Sequence, residues 1–167
     1  MIEFTRLDGQ ARFSQTYIRA RMIEIREKEI QRESYAFRYR RVLEAVIRNP
    51  PRLEDVAKVA TAAAAFELSI DTPATRAMDQ SEIRAAPGKL GYAPTRKENL
   101  IVIRMDRCAC TIARTVAHEC RHRWQIDSGR FLDMLGAGNS ESDAEEFEAR
   151  FAQKYLPSNC GGCKKSY

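Results

Sequence analysis

Histidine is almost absent from this chain: of 167 residues only two are histidines, His118 and His122. A metal site built from three imidazoles is therefore excluded. No run of apolar residues approaches the roughly 20 needed to cross a bilayer, and the opening Met1-Ile-Glu-Phe-Thr-Arg-Leu-Asp8 lacks the apolar core of a signal peptide. The expectation is a cytoplasmic protein with no membrane association. An excess of one charge is also missing: the net charge is only +5. That is compatible with an acidic partner and does not demand one, so nucleic acid is not the expected partner. Cysteines number five, and in a cytoplasmic chain they argue for thiols or metal sites rather than a disulfide framework. Proline and glycine are absent from residues 10–48, which removes turns from that stretch and favours a long helix.

What is present centres on Thr111-Ile-Ala-Arg-Thr-Val-Ala-His-Glu-Cys-Arg-His-Arg-Trp-Gln-Ile126. Ile112, Ala113, Val116, Ala117, Cys120 and Trp124 recur at helical spacing and make one apolar stripe, while Thr115, His118, His122 and Gln125 share a separate face. Residues four apart lie one turn above each other, so His118 and His122 can grip one metal ion while Glu119 points at its open side. This H-e-x-x-h array is the geometry of a zinc hydrolase. Both histidines of the chain belong to it.

A catalytic zinc takes three protein ligands and keeps one position for water. With no third His, a carboxylate must complete the set. Its obvious source is residues 140–155, an amphipathic helix in which Ala144, Phe147, Phe151 and Tyr155 form the core stripe while Glu141 and Glu145 share another face. Ser140 with Asp143 reads as a capping box, which puts Glu141 in the first helical turn, where the helix dipole favours a carboxylate.

His118-Glu119-Cys120-Arg121-His122 followed by Glu141-Ser142-Asp143-Ala144-Glu145 resembles the gluzincin pairing of H-E-x-x-H with a downstream E-x-x-A-D/E. The run Ala144-Glu-Glu-Phe-Glu-Ala149 and the Leu156-Pro157 ending are similar to compact ImmA/IrrE-type peptidases. The resemblance covers residues 90–157. It implies a zinc-dependent peptidase acting on a protein or peptide, with Glu141 as third ligand and Glu145 orienting His118 from behind. Arg121 departs from the pattern, which prefers uncharged residues between the histidines.

The remaining stretches fill in an α+β, zincin-like domain: N-terminal helices, a small mixed sheet, the motif helix and a third-ligand helix. One domain over 1–167 is expected, with a helical part at 1–68, a catalytic core at 69–157 and a cysteine-containing tail at 158–167. The long helix at 10–48, with a break anticipated near Glu33, ends at Asn49-Pro50-Pro51. Leu53, Val56, Ala57, Ala60, Ala64 and Leu68 mark a second helix. Residues 91–95 and 100–105 read as paired strands, the first an edge because of Pro94. In zincins resembling this one such an edge aligns the substrate backbone. Candidates for stabilising the oxyanion are Tyr92, Arg121, Arg123 and Tyr155. Cys108 and Cys110 with Cys160 and Cys163 could close a second, structural metal site. That arrangement motivates a rival reading, a zinc-stabilised binding module that docks an acidic protein or nucleic acid without catalysis.

Overall fold

The computed structural model describes residues 5–7, 10–12, 15–94, 98–130 and 139–158, with side chains from residue 19 onward. Among these residues the chain is α+β. The order is β1 (Thr5–Leu7), β2 (Gln10–Arg12), α1 (Gln15–Arg48), α2 (Leu53–Leu68), β3 (Ala74–Ala77), α3 (Gln80–Ala85), β4 (Gly91–Tyr92), β5 (Leu100–Ile103), α4 (Ala109–Asp127) and α5 (Asn139–Tyr155).

Two compact units divide the chain, Met1–Arg38 and Tyr39–Tyr167. The first holds the antiparallel β1–β2 pair, Thr5 opposite Arg12, and the leading part of α1. The sequence pattern extended this helix back to residue 10 and gave no sign of the hairpin. α1 runs through Glu33 without the anticipated break. The ion pairs from Glu24 to Arg21 and Lys28, at 2.5 and 2.7 Å, lie along its surface, each contributing about 0.2–0.5 kcal/mol on an exposed helix.

The second unit contains everything that positions the motif. Its mixed sheet has the order β3-β5-β4, with β5 parallel to β3 and antiparallel to β4. β5 occupies the centre, and Ile101, Val102 and Ile103 are fully buried, as a continuous apolar run in a central strand should be. α2 and α4 pack on each other and on the sheet, and α5 packs on α4. Ala57, Ala60 and Ala64 on α2 have no exposed surface; such small side chains let helix axes approach closely. The unit boundary falls inside α1 rather than at residue 68, so α2 belongs to the core around the motif. No helix among the described residues is long and apolar enough to cross a membrane.

Candidate metal centre

α4 supplies the two histidines because its apolar stripe buries its back: Ile112, Ala113, Val116, Ala117 and Cys120 are inaccessible to solvent. Cys120 is a free cysteine whose thiol is pushed up in pKa by that burial. The polar side of the helix opens on a cleft of about 540 Å³ that α5 borders with Ser140, Glu141 and Glu148 and the β4 segment with Lys89 to Ala93.

His118, His122 and Glu141 converge there. The two Nε2 atoms are 3.1 Å apart, and the Glu141 carboxylate places one oxygen 3.0 Å from His118 Nε2 and the other 3.2 Å from His122 Nε2. Donors held about 2.0–2.1 Å from one ion at tetrahedral angles would stand about 3.3 Å from each other. Each of these contacts is close to that spacing, with the two histidines facing different oxygens of Glu141, and the three residues could hold a metal ion.

The rear of each imidazole shows which way the protons lie. His122 Nδ1 is 2.9 Å from Gln125 Oε1, an atom that only accepts, so Nδ1 carries the hydrogen. His118 Nδ1 is 3.5 Å from a Glu148 carboxylate oxygen. Each ring thus turns its Nε2 towards the carboxylate of Glu141. Acids crowd around His118: burial opposes its charge, but Glu148, Glu119 and Glu141 outweigh that and raise its pKa.

Glu148, not Glu145, stands behind His118. Glu145 is exposed on α5, whereas Glu148 is held below the usual carboxylate range by its contact with His118. The anticipated capping box is also replaced. Asp143 accepts two hydrogen bonds from Arg121, at 2.7 and 2.8 Å, and one from Gln125 at 2.7 Å. The unusual Arg121 thereby joins α4 to α5.

Glu119 is nearly buried. Loss of solvation pushes its carboxyl up to about 7, even though His118, Lys89 and the Ala93 N–H, which donates to it, favour the charged form. The strand beside it must be glycine. A Cβ on Gly91 would lie 2.8 Å from Thr115 Cγ2, 2.9 Å from the Val102 carbonyl oxygen and 3.0 Å from Glu119 Cγ.

The four expected oxyanion donors are engaged elsewhere. Tyr92 donates to Glu82 at 2.5 Å, Arg121 holds Asp143, and Tyr155 donates to Glu67. Arg123 is buried, bonded to Asp127 and to the carbonyls of Pro94 and Glu98. It fastens both described ends of the β4–β5 connection to α4. Lys89, which the sequence did not single out, lines the cleft and reaches Glu119 with its charge.

Cys108 and Cys110, at the start of α4, are each disulfide-bonded. Cys160 and Cys163 lie outside the described residues, as do residues 131–138 between α4 and α5. Scans against family models, curated proteins and solved structures match nothing to this chain.

Proposed function

We propose that this chain is a zinc-dependent metallopeptidase with a zincin-like core, in which His118, His122 and Glu141 hold the metal and Glu119 is the general base. The observation that carries the reading is the convergence of His118, His122 and the Glu141 carboxylate, in contacts of 3.0–3.2 Å, beside a buried carboxyl in an open cleft. Zinc bound there would supply a Lewis acid that polarises the scissile carbonyl and brings the pKa of water down to about 7.

The protein's own groups supply the proton transfers and the alignment. Glu119 accepts a proton from the attacking water and returns it to the leaving amine. Its place at the cleft wall is set by the Ala93 N–H and by the absent side chain at Gly91. Lys89 is the cation of the cleft and faces the negative charge that develops on the carbonyl oxygen. β4, at the edge of the three-stranded sheet, offers backbone groups that align an extended peptide without reading its side chains.

Metal content and cleavage of an unstructured peptide library test the reading together. His118→Ala and His122→Ala should lose metal. Glu119→Gln should keep it and lose turnover, since the amide preserves shape but accepts no proton. Lys89→Met should retain metal and lower kcat by roughly 100-fold, the scale of one lost oxyanion donor. A wild type that binds zinc yet cleaves nothing in the library sinks the peptidase and leaves the metal-stabilised binding module.

A further inference from the structure

We propose that Gln125 is a positioning residue that locks His122 and the start of the third-ligand helix into one arrangement, with Asp143 and Arg121 completing the brace. The inference rests on the reading of His118, His122 and Glu141 as a metal centre.

Gln125 is fully buried, so every polar atom of its amide needs a partner. Its Nε2 donates to the Ser140 carbonyl at 2.9 Å and to Asp143 Oδ2 at 2.7 Å. Those two partners only accept, which fixes the amide orientation and leaves Oε1 for His122 Nδ1. The tautomer of His122 is therefore decided by acceptors on α5, one on each side of Glu141 in sequence. Arg121 secures the other end. Its guanidinium lies 3.9 Å from the Trp124 ring centre and grips Asp143 with two hydrogen bonds, so the Asp143 carboxylate stays ionised and in place to receive Gln125.

One side chain thus serves two ligands from different helices. It orients the lone pair of His122 and pins the backbone from which Glu141 projects. Arg121, an oddity within an H-E-x-x-H motif, acquires a reason that involves no substrate.

The test uses the full chain and three variants, read by the ¹⁵N pattern of the His122 ring in metal-free protein and by zinc and cobalt affinity. In the wild type the ring should carry its hydrogen on Nδ1, against the preference of free histidine for Nε2. Gln125→Leu should lose that pattern and weaken metal binding by roughly 10- to 100-fold, the scale of a lost partner behind a ligand. Gln125→Glu should restore the Nδ1 hydrogen, because a carboxylate oxygen still accepts, but not the full affinity, because its second oxygen confronts Asp143. Should Gln125→Leu fail to fold, Arg121→Met reports instead: it keeps a side chain over Trp124 and should shift the cobalt spectrum and lower affinity. Wild-type affinity and an Nδ1 hydrogen in Gln125→Leu, or in Arg121→Met an unaltered cobalt spectrum and affinity, would overturn the proposal. A wild type that binds neither metal defeats the metal reading alone, since the ring pattern of metal-free protein still judges the brace.

Discussion

Glu119 can hold a proton near neutrality only where water is kept off its carboxyl, and the residue that permits this is Gly91. Its backbone passes so close that an added methyl would meet a strand carbonyl and the Glu119 side chain at 3.0 Å or less. Backbone does not yield as the end of a flexible side chain does. Gly91→Ala should therefore destabilise the protein by about 1–3 kcal/mol, the usual cost of overpacking, and displace Glu119 as well. Denaturant unfolding beside metal titration checks it: unchanged stability would mean that β4 can move freely. The two carboxylates of α5 separate in the same way. Glu148→Ala should weaken metal binding by roughly 10- to 100-fold and Glu145→Ala should not; the reverse order in a zinc titration would restore Glu145 behind His118. The nearness of His118 to His122 was legible in the sequence because i, i+4 spacing on an amphipathic helix leaves few arrangements. The partner of His118 was not. Positions four and seven residues beyond Glu141 both fall near its face, and only the packing of α5 on α4 decides between them.

At the scale of elements, Glu82 is the knot of the small sheet. Its backbone and side chain close a capping box with Asp79 at the start of α3. The same carboxylate takes two hydrogen bonds from Arg76 on β3, at 3.0 and 2.8 Å, and one from Tyr92 on β4. β3 and β4 are not neighbours, so this one group ties the two edges of the sheet across β5 and helps place the strand that borders the cleft. The pH consequence has a definite sign. Arg76 above all, then Tyr92 and the Asp79 N–H, lower the Glu82 pKa from 4.5 to about 2. The folded state thus binds this proton less readily than the unfolded chain, and the contribution is complete above about pH 4.5 and disappears as pH falls towards about 2. Glu82→Gln should flatten the pH dependence of the urea midpoint within that window; an acid limb as steep as wild type would remove Glu82 from the account. The capping box was present in the sequence as Asp79-x-x-Glu82, but a six-residue helix shows too little periodicity to draw attention to it. β3 escaped for a related reason, since Ala-Thr-Arg-Ala neither alternates nor runs apolar, and its place comes from β5 and from the hydroxyl contact of Thr75 with Thr61 at 3.0 Å.

For the whole molecule, the two units carry different burdens. Met22, Ile23, Ile25, Ile30 and Phe37 are exposed along α1 in the unit that ends at Arg38, whereas His118, Glu119, His122, Gln125 and Glu141 all lie beyond it. The cysteines put the surroundings of the second unit to a test as well. Disulfide bonding of Cys108 and Cys110 belongs to an oxidising environment, while a cytoplasmic chain would keep thiols there. Protein trapped with an alkylating agent at lysis should show both cysteines modified if the cytoplasmic reading holds, and protected cysteines would reassign it. The division into units makes the sharpest demand. A chain beginning at Tyr39 retains the last turns of α1, where Leu43 is fully buried and Tyr39 packs on Phe66 with ring centres 5.5 Å apart. Ten residues of helix are too few to persist alone, but tertiary contacts of this kind hold short helices in place. The shortened chain should therefore unfold cooperatively and bind zinc within about twofold of the full chain, since His118, His122 and Glu141 all belong to the second unit. A drop of tenfold or more, with the fold intact by circular dichroism, would show that residues before Tyr39 contribute to metal binding.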